Sequence, residues 1–172
     1  STRLGFAATV GARPWDFLTG ALSVTYVRAT LDAPPLASAE DPDPPYRSGQ
    51  LLPYVAPWVV RADLGAHGVL VRLGDWDLAG RIGAGFSFLS PRPLPFGAFA
   101  DPVALLDAQA GLTWGPVDLG VQIFNLTDSR FSAIEYSFAS NWSPPDAPSR
   151  LPARHLSAGA PLTVLATLGV TL

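Results

Sequence analysis

The sequence predicts an all-β chain of about seven antiparallel, up-and-down strands that form part of a barrel wall. Three observations predict it. Apolar residues recur at every second position in seven separate stretches, the period of a strand and not of a helix. The connections between those stretches alternate strictly, one short and the next long. Aromatic residues gather at the two ends of the stretches and leave an aliphatic band between them.

In order, residues 3–12 alternate Leu4, Phe6, Ala8 and Val10 with Gly5, Ala7, Thr9 and Gly11. A short turn, Arg13 to Asp16, leads into a second strand over 17–31, with Leu22, Val24 and Tyr26 facing one way. A proline-rich acidic loop from Asp32 to Gln50 excludes regular structure. Alternation returns from Ala56, with Trp58, Val60, Ala62 and Leu64 against Val59, Arg61 and Asp63, and runs to Leu73. Glycines at 65 and 68 place a bulge there. The turn Gly74-Asp75-Trp76 precedes a fourth strand that alternates from Leu78 to Phe88. After the loop Ser90–Pro102, the stretch Leu105–Asp128 reads as a hairpin about Gly115-Pro116. Ser129 to Gly159 reads as long and irregular, and Leu162–Leu172 as the last strand.

Composition narrows the function. The 172 residues make one domain, 48% apolar and 15% charged, with a formal charge of −3. Sixteen Gly and eighteen Pro are offset by nine Phe and five Trp, enough bulky anchors to argue against disorder. No basic run exists to neutralise phosphates, so nucleic acid is excluded as a partner. All 11 basic residues are arginine, which with the Ala, Pro and Gly content fits a high-GC bacterial gene. Cysteine is absent, excluding disulfides, thiol chemistry and cysteine-based zinc sites. The chain opens at Ser1 with no signal sequence, so the expectation is either a removed leader or the tail of a longer protein.

The aromatic positions set lipid against a protein core. Trp15, Trp76 and Trp114 stand at the three short turns; Tyr26, Trp58, Phe88 and Phe124 stand near the opposite strand ends. Two aromatic rows around an aliphatic band are the girdles of a transmembrane barrel. From Trp76 to Phe88 a strand tilted ~45° at ~3.3 Å per residue rises roughly 28 Å, close to the ~25 Å apolar band of such barrels. The alternate positions carry Gly, Ala, Ser, Thr, Asp, Gln and Arg, too polar for a packed interior. Short turns then face the periplasm and long loops the exterior, at the bacterial outer membrane with lipid as the first partner.

Two segments carry a family resemblance. Asn125-Leu126-Thr127-Asp128-Ser129-Arg130-Phe131 resembles the Asn-Leu-x-Asp-x-x-aromatic motif near the C-terminal end of TonB-dependent outer-membrane receptors. Gly49-Gln50-Leu51-Leu52-Pro53, followed by Pro57, resembles the segment with which those receptors enter a descending strand. The resemblance spans residues 1–172, matched to the last third of such a barrel. It implies energised uptake of a scarce ligand such as a ferric siderophore, cobalamin or a glycan, with no chemistry done on it. It also implies a barrel of roughly 22 strands enclosing a plug that contacts TonB. Nothing in these residues matches a plug, so the plug and the other strands are expected partners outside them. The rival expectation is a small stand-alone outer-membrane barrel, an adhesin or a lipid-modifying enzyme.

Sites follow from the two faces and the loops. Arg61, Asp63, Arg81, Asp107, Gln109 and Gln122 share the polar side, as a ligand path or plug contact, or as polar residues paired with one another or with water. Tyr46, Phe96, Tyr136 and Trp142 are outer-loop aromatics placed to grip a ligand. His67 and His155 belong to no metal-ligand spacing and no nucleophile motif accompanies them, so no catalytic residue, cofactor or metal is expected and the chain is read as a non-enzyme.

Overall fold

The computed structural model describes residues 1–34, 46–140 and 151–171. Among them the strands run β1 (Thr2–Trp15), β2 (Leu18–Thr30), β3 (Trp58–Leu73), β4 (Trp76–Leu89), β5 (Arg92–Pro93) and β6 (Phe99–Ala100). There follow β7 (Val103–Trp114), β8 (Val117–Phe124), β9 (Ser132–Ser140), β10 (Leu151–Ala158) and β11 (Thr163–Val170). Seven of these form one antiparallel sheet in the order β1-β2-β3-β4-β7-β8-β11. They are the seven stretches the alternation picks out. The sheet is not closed: β1 and β11 are its edges. Because five antiparallel strands separate them, these two edge strands run in the same direction. No helix among the described residues is long and apolar enough to cross a membrane.

The three short turns are built by local chemistry. Leu73 pairs with Trp76 across Gly74-Asp75, and Trp114 with Val117 across Gly115-Pro116. In both, the first turn residue is a glycine at positive φ, 62° and 52°, as a two-residue hairpin turn of the primed kind requires. The β1–β2 turn adds a register shift between Ala12 and Trp15, which pairs Trp15 with Leu18. That shift returns Trp15 to the apolar face despite its odd number. In β3 the irregularity lies between Val69 and Val71, not at the predicted glycines 65–68. Gly65 and Gly68 are instead regular ladder positions, opposite Gly83 and Gly80.

Register sorts the side chains into two faces. One row runs Phe6, Tyr26, Trp58; another runs Val10, Leu22, Ala62, Phe86, Leu106; a third joins Leu112, Leu119 and Leu168. Arg61, Asp63, Gly83, Gly85, Asp107, Gln109, Gly120 and Gln122 occupy the alternate positions. The apolar face is bare across the sheet: Leu4 is 73% exposed, Ile82 65% and Leu168 70%. A soluble monomer leaves roughly 300–600 Å² in its largest apolar patch, and this face extends over all seven strands. Covering it would be worth about 0.8 kcal/mol for each CH₂ buried.

The buried apolar residues lie elsewhere. Ala29, Ala56, Leu94, Ala100 and Val103 are small to medium and all sit at the long-loop end. There the chain departs from expectation. Ser129–Gly159, read as irregular, contains the antiparallel hairpin of β9 and β10, with His155 opposite Tyr136. The loop Ser90–Pro102 likewise contains the β5–β6 pair around a 3-10 turn, Pro95–Gly97. Proline-rich flanks masked the alternation of Ile134, Tyr136 and Phe138 with Glu135 and Ser137.

Candidate functional site

Two places concentrate polar chemistry: the polar face of the sheet and the loop end above it. On the polar face, Arg61 donates from Nε to Asp63 Oδ2 at 2.9 Å and from Nη2 to Asp63 Oδ1 at 2.7 Å, and from Nη1 to Ser87 at 3.1 Å. Nearer the short turns, Arg81 grips Asp118 through two bonds of 2.7 Å each, with the Thr113 hydroxyl donating to the same carboxylate. The Arg81 guanidinium lies across the paired glycines 111 and 120; a Cβ at Gly111 would stand 2.5 Å from its Cζ. Both pairs are half exposed, and such pairs contribute about 0–1 kcal/mol. Their effect is to fix side-chain geometry and cancel charge.

Between the two pairs is a hollow of about 390 Å³ bounded by β2, β3, β4, β7 and β8. Arg61, Asp63, Asp107, Gln109 and Gln122 all line it. The structure therefore brings five of the six predicted polar-face residues together; Arg81 stands apart, locked to Asp118. Phe124 also lines the hollow. Its expected place in the aromatic girdle is corrected here: Ile123 pairs with Val164 on the apolar face, so Phe124 turns to the polar one. The glycines 83 and 85 form the floor. A Cβ at Gly83 would meet Gln109 Nε2 at 2.9 Å, and one at Gly85 would meet Asp63 Oδ1 at 3.1 Å.

The Asn125–Phe131 segment clamps the base of the β9–β10 hairpin. Asn125, 3% exposed, donates from Nδ2 to the carbonyls of Ser129 at 2.9 Å and Ala160 at 3.1 Å, and its Oδ1 accepts Ser129 N–H at 2.9 Å. It thus ties the chain leading into the hairpin to the chain leading out. Asp128 Oδ1 accepts Leu162 N–H at 3.1 Å, and the Phe131 ring packs over Gly159. Asn125 N–H donates to Asp107 Oδ1 at 2.9 Å, which fastens the clamp to β7. Asn125 and Asp128 both hold positive φ, 52° and 49°, a conformation Asn and Asp tolerate better than other side chains. The Asn-Leu-x-Asp-x-x-aromatic spacing is therefore a physical clamp, with Asn125, Asp128 and Phe131 each holding one part of the hairpin base.

Above the clamp, Glu135 is buried, its side chain 1% exposed, and is paired with Arg154 of β10, which also donates to Asp101 at 3.2 Å. The second Glu135 oxygen has no hydrogen-bond partner among the described residues. Hydrogen bonding to Glu135, then to Asp101, raises the Arg154 pKa further. The sequence reading missed this trio, because its members lie 19 and 53 residues apart. On the opposite hairpin face Tyr136 meets Tyr54 at 5.6 Å between ring centroids, and Phe138 stacks on His155 at 3.8 Å. Burial pushes the Tyr54 hydroxyl pKa up, with the neighbouring Tyr46 and Tyr136 adding to it. Of the predicted loop aromatics, Tyr136 thus meets Tyr54, a residue not named as a site in the sequence. Phe96 lies in the 3-10 turn at φ 61°, and Trp142 lies outside the described residues.

No group of three or more His, Asp or Glu able to hold a metal occurs among the described residues. Compared with protein-family models, with curated proteins and with solved structures, the chain matches none.

Proposed function

We propose that the chain is a wall segment of a bacterial outer-membrane barrel, the C-terminal portion of a TonB-dependent receptor engaged in energised uptake of a scarce ligand. The observation that carries this reading is the division of the seven-stranded sheet into one bare apolar face and one hydrogen-bonded polar face. Lipid is the covering that suits the first and a water-filled lumen the second. The aromatic rows support it: Trp15, Trp76 and Trp114 at the short turns, and Phe6, Tyr26 and Trp58 in mutual ring contact at the other end. The unpaired edges support membership of a larger barrel. Direct closure of β1 on β11 would make a parallel pair in an otherwise antiparallel wall, and open edges are costly in lipid. This weighs against a small stand-alone adhesin or enzyme barrel.

The test is reconstitution with phospholipid and flotation of the chain joined to the strands that complete its barrel. Co-flotation with vesicles is expected, and Ile82→Arg at the centre of the apolar face should weaken folding in lipid by about 2–4 kcal/mol. Thr25→Arg, on the polar face, should not carry that penalty. Equal tolerance of the two substitutions, or a protein that stays in the aqueous phase, would sink the proposal.

A further inference from the structure

We propose that the hollow on the polar face is a binding seat for an uncharged, hydroxyl-rich ligand with the chemistry of a short saccharide. The proposal deepens the transport reading, on which it rests, by naming the class of solute the wall would meet.

Charge decides the class. Among the described residues the one guanidinium lining the hollow, Arg61, spends its Nε and Nη2 donors on Asp63 and its Nη1 on Ser87. Arg81, next along the face, is held end-on by Asp118 through Nη1 and Nη2. Each guanidinium charge is thus already matched by a carboxylate, which leaves little net positive charge to draw a phosphate or carboxylate. Asp107 adds a carboxylate that among the described residues receives only the Asn125 N–H, so their charges leave the hollow a slight negative excess. An anionic solute is therefore disfavoured.

Hydrogen-bonding capacity remains. Gln109 and Gln122 are directly opposed on β7 and β8, both exposed, and neither side chain makes a hydrogen bond among the described residues. Two carboxamides supply four N–H donors and two carbonyl acceptors at one spot. Hydroxyl groups, each donor and acceptor at once, match that set; ions of a single sign do not. Phe124 adds an apolar ring surface on the same wall, 43% exposed, against which the C–H face of a sugar ring can lie. The hollow's volume, about 390 Å³, falls within the roughly 300–1,000 Å³ of small-molecule sites. Glycines 83 and 85 make room for the Gln109 and Asp63 side chains that lie across them.

The experiment uses the chain joined to the strands that complete its barrel, in lipid nanodiscs, and two probes, maltose and its carboxylate analogue maltobionate, read by saturation-transfer difference NMR. Transfer to maltose is expected, at least tenfold stronger than to maltobionate, and reduced at least fivefold in Gln109→Ala/Gln122→Ala. Phe124→Leu should reduce transfer to the sugar ring protons while leaving insertion into the nanodisc intact. Maltobionate binding as well as maltose, or a double variant that binds like the parent, would overturn the proposal. Absence of maltose transfer in a chain that inserts into lipid would also overturn it, and would leave the transport reading standing. A chain that binds maltose in detergent but never enters lipid would retain the seat and remove the membrane reading.

Discussion

Replacing Asn125 by alanine removes three hydrogen bonds at the base of the β9–β10 hairpin in a single step. Each is worth about 1 kcal/mol net. Alanine must in addition take the positive φ of 52° that asparagine tolerates, at about 1 kcal/mol. The summed effect is a loss of about 4 kcal/mol in the free energy of opening the hairpin base, roughly a thousandfold in the opening equilibrium. Asn125→Gly keeps the conformational freedom and loses only the bonds, so its effect should be about 1 kcal/mol smaller. Amide hydrogen exchange on the lipid-reconstituted chain reads this directly. Peptides covering residues 126–140 and 151–161 should exchange several hundredfold to a thousandfold faster in Asn125→Ala, and several-fold more slowly than that in Asn125→Gly. Peptides from β1 to β4 should not change, because none of their backbone bonds touches the clamp. Two results would refute the reasoning. Hairpin exchange within threefold of the parent would mean that the three bonds do not hold the base. Equal acceleration across all strands would mean that Asn125 supports the whole sheet.

The other predictions concern the loop end. Arg154→Ala leaves the Glu135 carboxylate buried without its cation, which should destabilise the hairpin by about 3 kcal/mol, and Glu135→Gln/Arg154→Ala should restore much of it; exchange in β9 distinguishes the two, and an equal loss in both would remove the ion-pair argument. Tyr54 has a raised folded pKa, so its contribution is complete below the unfolded value of 10.0 and is lost as pH rises through the folded value. Ultraviolet titration should show a late-ionising phenol, absent in Tyr54→Phe, together with alkaline loosening of the Tyr54–Tyr136 contact. A late component that persists in Tyr54→Phe would assign it to another residue. Gly111→Ala should displace the Arg81 guanidinium, yet cost little: the exposed ion pair loses about 0–1 kcal/mol, offset by the roughly 0.5–1 kcal/mol that alanine gains over glycine in a strand. Thermal unfolding should move by no more than a few degrees, and a larger drop would mean that the pair contributes far more than exposure allows.

The strands of the sheet were legible in the sequence because strand periodicity is local. Side chains alternate by geometry, and Leu4 to Val10 or Leu106 to Trp114 state their two faces without knowledge of any neighbour. The same argument placed Arg61, Asp63, Asp107, Gln109 and Gln122 on one side, and the register confirms that they share it. Turns were equally local, since Gly74 and Gly115 announce positive φ. Tertiary structure alone decided the rest. Phe124 could be assigned to a girdle by its place in the chain, but pairing of Ile123 with Val164 turns it to the polar face. Glu135, Arg154 and Asp101 meet only because the hairpin folds back over the β5–β6 loop, and no spacing foretells a contact across 53 residues. The Asn125–Phe131 motif was visible as a pattern, whereas its work as a clamp depends on Ala160 and Leu162 returning beside it. Period-two patterning records which face a residue takes, and long-range register records whom it meets there; only the first is written in neighbouring residues.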